Sequence, residues 1–498
     1  MENINDLKIN SLSKSSYIKG LQCPKALWFF NYRKDLKLPL DNKTKAKFET
    51  GNEITELARK YFAEGVKAVD DYFDVKKAAH STKSLIVKNH QIIFEATAII
   101  DADGSHARID IFRKNQNSDG WDLIEVKSST GVEDCHLDDM SFQYHVFSKA
   151  GYKIDRCLLM LVDNSYVLQG EIDVSKFFKF EDVSKQILEK QNEVDHCKND
   201  LLEVLKTKEE PKIIIGDKCF KPFECDFKHH CWKEVPKYSI FKIYQNKKAE
   251  EIAKQIGSYD IKNIPQNLFP SGTKVIDINC HQENKTHIDK TKIKGWLSKL
   301  QYPLYFLDYE TFNAAIPIFD GTRPYQQIPF QFSLHVQDTP DSEPRHFEFI
   351  HKEKSDPRRN FAKKLIEVCG KEGSIVCYHQ SFEKGRNDDL AKDFPEYAES
   401  LKQINARIVD LIEPFRGRFI YSPKQQSSYS IKEVLPAFTN HSYHEMEIAN
   451  GGEAMEIYLN FLKGKNVDEA KMVDDLLSYC KLDTYAMVEL TKVLLEHS

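Results

Sequence analysis

Two stretches of the chain switch from helical periodicity to short apolar or alternating runs, and this switch limits the architecture more than any other feature. Between Gln91 and Val162 the runs QIIFEATAII, HARIDIF, WDLIEVKSS and CLLMLV follow one another, with a helical segment before the last. A second set begins at YPLYFLDYE and continues through FQFSLHVQ, HFEFI and SIVCYH. Runs of about four to eight residues that alternate or are apolar throughout predict strands of helix-covered sheets. Helices are predicted over Ser16–Arg33, Lys45–Phe62, Glu181–Lys206, Phe361–Val368 and Val473–Glu496. The expected class is α/β, divided at 1–233, 234–300 and 301–498, the middle section being a small helical linker domain. Within that linker AEEIAKQIGSYDIKNIP reads as a helix–turn–helix pair.

The 498 residues, 41% apolar and 30% charged, have a globular balance. At about 100–200 residues per domain there is room for two to four domains. With 71 Lys+Arg against 76 Asp+Glu, the net charge is −5. That excludes binding of nucleic acid by bulk charge and leaves a local basic groove open; Lys45–Lys47, Lys285–Lys294 and Arg358–Lys364 are the candidate basic patches. Eleven cysteines, an odd and scattered set, make a poor disulfide framework. MENINDLKINSLSKSSY has no apolar signal region, and the longest apolar runs fall far short of the roughly 18 residues that span a bilayer. The expectation is a cytoplasmic protein without a membrane partner, in which clustered cysteines serve metal or redox chemistry.

ARIDIF puts Asp110 in one strand and LIEVKSS puts Glu125 and Lys127 in the next. Residues i and i+2 of a strand share a face, so Glu125 and Lys127 converge. Two carboxylates on neighbouring strands suit Mg²⁺ or Mn²⁺, with the lysine orienting water or stabilising developing charge. Gln143, on the following predicted helix, can orient the group. This arrangement, with Q-x3-aromatic from Gln143 to Phe147, resembles the PD-(D/E)xK nucleases of RecB type, the CRISPR-associated exonucleases above all. The resemblance implies metal ligands at Asp110 and Glu125, catalytic Lys127 and supporting Gln143. It also implies a further ligand in an early helix, usually His; in FETGNEITELA the corresponding residue is Glu53.

GDKCFKPFECDFKHHCW spaces Cys219, Cys225 and Cys231 as C-x5-C-x5-C, with Cys23 far upstream in GLQCPKALWF. Four thiolates are what a cubane cluster needs, and three of them with His229 or His230 would suit zinc instead. The one-plus-three arrangement resembles that of the RecB-like exonucleases, which implies a [4Fe–4S] staple joining the ends of the domain. The other seven cysteines read as small core residues.

In YFLDYETF, Asp308 and Glu310 share one strand face; in LLSYCKLDTYAMVEL, Tyr479 and Asp483 share one helix face. SIVCYHQSFEKGR offers Glu383 between them. Carboxylates gathered at one point repel unless cations are bound, the pattern of two-metal phosphoryl transfer. D-x-E on a first strand and Y-x3-D on a late helix resemble DnaQ-like exonucleases of DEDDy type, on an RNase H-like fold. That resemblance implies metal ligands at Asp308, Glu310 and Asp483 and a water-positioning Tyr479, with Glu383 standing where Asp is usual. Asp410 reads as a supporting acid, and Gln326, Gln327 and Gln331 either line a strand-binding groove or pack a loop. YPLYFLDYETFNAAIPIFDGTRPYQQIPFQFSLH and IKEVLPAF resemble a bacterial family that joins the two kinds of domain.

The expected function is metal-dependent hydrolysis of DNA phosphodiesters, as an exonuclease on single strands or ends, with RNA open as a substrate. The alternatives are a non-catalytic nucleic-acid-binding scaffold and an iron–sulfur sensor that regulates DNA binding.

Overall fold

The strand-like runs of the first half do form one sheet. The computed structural model describes residues 11–69, 74–444 and 446–498, and its contacts divide the chain into two compact units between Glu234 and Val235. Residues 235–300, expected as a separate linker domain, cluster with the second unit.

In the first unit six strands lie in chain order: β1 (Val66–Lys67), β2 (Ile92–Ile99), β3 (His106–Lys114), β4 (Trp121–Lys127), β5 (Ile154–Val162) and β6 (Phe178–Asp182). β2, β3 and β4 form an antiparallel meander, and β4 pairs in parallel with β5. A parallel pair needs a crossover; helix Asp134–Lys149 supplies it and buries Met140, Phe142, Val146 and Phe147 against the sheet. At Glu95, opposite Asp110, regular pairing lapses for one residue without a change of register, and Glu95 has φ +56°.

Two predicted helices are broken. Ser16–Arg33 is two helices, Lys14–Gln22 and Pro24–Tyr32, with Cys23 extended between them (φ −161°). Pro24 disfavours helical geometry at the preceding residue and lacks the N–H that would continue the helix. Glu181–Lys206 begins as the end of β6 and continues as helices Ser184–Glu189 and Gln191–Lys206.

The second unit carries a five-stranded sheet in the order β10–β9–β8–β11–β12. Its strands are β8 (Leu304–Phe312), β9 (Ile328–Gln337), β10 (Arg345–Ile350), β11 (Ile375–Cys377) and β12 (Ile408–Asp410); the short β7 (His287–Ile288) pairs with β13 (Ile420–Tyr421) elsewhere. β8, β9 and β10 are antiparallel; β11 is parallel to both β8 and β12. β8 divides two cores by its alternation. Leu304 and Phe306 pack with Trp296 and Met487, while Tyr305, Leu307 and Tyr309 pack with Phe361 and Leu365. The even face then continues as Asp308 and Glu310. The last helix, Glu469–Glu496, crosses β8 and β9 and buries Tyr479, Cys480 and Asp483. The expected helix–turn–helix is one helix, Asn246–Ile256, followed by a single 3-10 turn at Ile261–Asn263. Among the described residues no helix is long and apolar enough to cross a membrane.

Candidate functional site

In the first unit, Asp110, Glu125, Lys127 and Gln143 come together, joined by two residues the sequence reading did not select, Lys14 and Asp139. Lys127 Nζ donates to Glu125 Oε1 at 3.0 Å and to Asp139 Oδ2 at 2.6 Å. Lys14 Nζ donates to the same Glu125 oxygen at 2.8 Å and lies 3.4 Å from Asp139 Oδ1. Asp110 Oδ2 accepts the Val126 amide at 2.8 Å, and Gln143 Nε2 reaches Asp139 at 3.4 Å. Glu125 Oε2 and Gln143 Oε1 are buried without a hydrogen-bond partner.

Burial penalises every charge here, yet Lys127 and Lys14 hold the Glu125 carboxyl well below its usual range. Asp110 has no lysine bonded to it; burial, then Glu125, pushes it up to about 7. Glu53 is half-buried on helix Asn42–Tyr61. A further carboxylate acting on Asp110 is Glu95, opposite it on β2, which accepts Arg59 Nη2 at 2.6 Å. Asp139, one helical turn before Gln143, was legible from that spacing; Lys14 carried no such signal.

Cys23, Cys219, Cys225 and Cys231 are all half-buried free thiols. Cys23, Cys225 and Cys231 pack around Ala26, Phe29 and Phe227. Burial pushes Cys225 up to about 11, with Cys23 and Cys219 adding to the shift. No three of these sulfurs lie within 4.8 Å of one another among the described residues, whereas tetrahedral zinc would hold them about 3.8 Å apart. Of the remaining seven cysteines, Cys157, Cys280, Cys369, Cys377 and Cys480 are buried, but Cys135 and Cys197 are only half so.

The second unit concentrates carboxylates in a cavity of about 610 Å³. Asp308, Glu310 and Asp483 each present an oxygen within 4.8 Å of the others. Glu383, 1% exposed at the start of helix Ser381–Asp393, lines the same cavity, and its Oε2 has no partner. Burial, then mutual repulsion, pushes Asp308, Glu310 and Glu383 well above the usual carboxylate range; burial lifts Asp483 to about 6. Buried oxygen donors in this state suit a hard divalent cation. Tyr443 donates to Asp483 Oδ1 at 2.6 Å. Lys432, the second residue of helix Ile431–Phe438, donates to the Tyr479 hydroxyl at 2.9 Å and also to the Ala449 carbonyl. Asp410 accepts the amides of His379, Gln380 and Ile412 at 2.9, 3.2 and 3.1 Å, so it holds the turn ahead of Glu383. His379 in that turn has φ +86°, a conformation that a non-glycine residue keeps only when its surroundings impose it.

Residues 305–430 match a domain of unknown function (DUF2779). The DUF2779 segment contains Asp308, Glu310, Glu383 and Asp410; Lys432, Tyr479 and Asp483 follow it. An uncharacterized protein of Ureaplasma parvum is 22% identical over 554 residues, covering 83% of this chain and 79% of its own. Uncharacterized proteins of Mycoplasma genitalium and Mycoplasma pneumoniae are 26% and 27% identical over 56% of this chain. The matches cover 44% and 45% of those two relatives, so the chain spans under half of their length.

Other candidates are used internally. Arg358, read as part of a basic patch, is 5% exposed and bonded to Asp356 and Asp393. Gln331 donates to the Leu476 carbonyl at 2.7 Å, Gln327 accepts from Thr311 at 2.6 Å, and Gln326 donates to Asp393 at 3.1 Å. These three glutamines pack their loop and strand.

Proposed function

We propose that this chain is a metal-dependent nuclease with two nuclease-type sites, and that the second unit cuts nucleic acid from an end. One observation carries the reading: Asp308, Glu310 and Asp483 converge within 4.8 Å in an open cavity. Their placement on β8 and the last helix supports a DnaQ-like, RNase H-like assignment of DEDDy type. Mg²⁺ or Mn²⁺ held by these three carboxylates, with Glu383 in the wall of the same cavity, would neutralise phosphate charge and acidify water.

The chain's own groups fix the proton inventory. Burial raises the Tyr479 hydroxyl far above its usual range, so it stays protonated. Its oxygen already accepts from Lys432, which turns its own proton toward Asp483 and the cavity. Tyr479 therefore acts as a donor that orients an attacking water or a phosphate oxygen, and Lys432 acts as a positioning residue behind it.

The first unit supports a RecB-like PD-(D/E)xK reading, with Asp110 and Glu125 as the cation ligands and Lys127 and Gln143 beside them. The four clustered thiols would hold a [4Fe–4S] cluster as a structural staple, with zinc on three of them and His229 or His230 as the alternative. A second reading of this unit, binding without cutting, also has a specific observation behind it. Lys14 and Lys127 both sit on Glu125 Oε1, which leaves only Oε2 for a cation.

The test is cleavage of end-labelled single- and double-stranded DNA and RNA with Mg²⁺ or Mn²⁺. Asp308→Asn is expected to abolish stepwise end degradation, and Lys127→Ala to remove any remaining cleavage. Wild-type protein that leaves every substrate intact refutes the nuclease reading.

A further inference from the structure

Beside the carboxylate cavity lies a second one of about 520 Å³, and the two share Tyr378, His379 and Ile431 in their walls. Their chemistry is opposite. Four carboxylates line the first, whereas no Asp or Glu lines the second among the described residues, although the chain has more acidic than basic residues. The second cavity presents Lys242, the hydroxyls of Ser428 and Ser430 and the ring of Tyr429, which is 44% exposed. Lys242 is exposed and has no carboxylate partner among the described residues. Ser430 is the N-cap of helix Ile431–Phe438, yet its hydroxyl caps nothing; the Glu433 amide bonds the Ser430 carbonyl, so the hydroxyl and the Ile431 and Lys432 amides stay available.

The shape of this cavity is imposed by its surroundings. Gln426 and Ser427 stand at φ +50° and +62°, strained for non-glycine residues. Three buried groups hold them there. Arg418, paired with Asp277 at 2.6 Å, donates to the Ser427 carbonyl at 2.8 Å; Tyr238 bonds the Ser427 hydroxyl at 2.7 Å; Tyr421 accepts the Ser427 amide at 3.0 Å. The Tyr378 hydroxyl donates to the Tyr429 carbonyl at 2.5 Å and ties this loop to the wall both cavities share. A loop fixed in this way meets its ligand with little ordering left to do.

We infer that the second cavity is a subsite for the nucleotide adjoining the scissile phosphate of a single-stranded nucleic acid. Lys242, Ser430 and the open amides receive the phosphodiester, and the exposed face of Tyr429 stacks on the base. This rests on the nuclease reading of the neighbouring site and adds the path of the strand. A single strand fits better than a duplex because one unpaired base must turn onto one ring.

Fluorescence anisotropy with labelled oligo(dT) and oligo(U) octamers, with Ca²⁺ in place of Mn²⁺, tests it. Tyr429→Ala is expected to weaken binding on the order of tenfold, with Tyr429→Phe retaining it. Lys242→Glu is expected to reduce the salt dependence by at least about one ion; the stronger octamer identifies the sugar. Hydrolysis of bis(p-nitrophenyl) phosphate with Mn²⁺ by the wild-type protein, a substrate that carries no base, reads the carboxylate site separately from the subsite. Absence of octamer binding by the wild type, or variants with wild-type affinity and salt slope, overturns the subsite. Tyr429-dependent binding without hydrolysis of any substrate refutes catalysis and leaves the subsite standing.

Discussion

At Glu125 a single carboxylate oxygen takes two ammonium groups, from Lys14 and Lys127, while the other oxygen is buried without a partner. Removing one of two cations from a buried carboxylate leaves charge poorly compensated. Lys14→Met is therefore expected to cost roughly 1–3 kcal/mol, read as a lower urea midpoint for the first unit. The Glu125 carboxyl is held below its unfolded value. Its contribution is thus present above the unfolded carboxyl pKa and is lost as pH falls through the folded value. The variant is expected to show its deficit at neutral pH and to approach wild type as acid protonates both proteins; an equal deficit at every pH argues against the ion pair. Asp110, Glu125 and Lys127 were legible because strand alternation announces which side chains converge. Lys14 was not, because only the docking of helix Lys14–Gln22 brings it to Glu125, and no local period encodes that.

Among the elements, strands were the most legible and helix ends the least. β8 and β9 follow their hydrophobic runs closely, yet all of β9, including Gln331, Ser333 and His335, is buried. A polar residue in an alternating run reads as solvent-facing; here the last helix covers that face and Thr484 bonds both Ser333 and His335 at 2.7 and 2.8 Å. His335 also packs against His346, the ring centroids 4.5 Å apart and the planes tilted by 35°. Burial lowers His335 to about 3 and His346 to about 4. Both folded values lie below the unfolded histidine value of about 6.5. The neutral pair therefore contributes fully above that value, and stability drains away as pH falls from about 6.5 toward 4. Thermal melts of the second unit are expected to fall across that window and to flatten in His335→Gln/His346→Gln. A double variant with the wild-type slope locates the acid sensitivity elsewhere. The tract read as one helix from Glu181 to Lys206 shows the opposite limit: its polar composition gives no sign that β5 recruits its first residues as a strand partner.

For the molecule as a whole, the two units should respond differently to divalent cations. A cation that binds the Asp308, Glu310 and Asp483 group only when folded stabilises the second unit by mass action, about 2.7 kcal/mol at a hundredfold excess over its Kd. Calorimetry with Mn²⁺ is expected to move the second unit's transition up by several degrees, with EDTA reversing the shift and Asp308→Asn removing it. A shift that survives Asp308→Asn places the bound cation at other residues. The first unit is fastened head to tail. Trp28 donates to the Thr207 carbonyl at 3.1 Å, Tyr32 to that of Leu205 at 2.5 Å, and Cys23 lies by Cys219 and Cys225. The consequence concerns the order of synthesis. At about 5–20 residues per second, the ribosome releases Lys14 many seconds before helix Gln191–Lys206, against which its own helix packs, exists. The sheet can pair while it emerges, but Glu125 waits for its second lysine until almost the entire unit has left the exit tunnel.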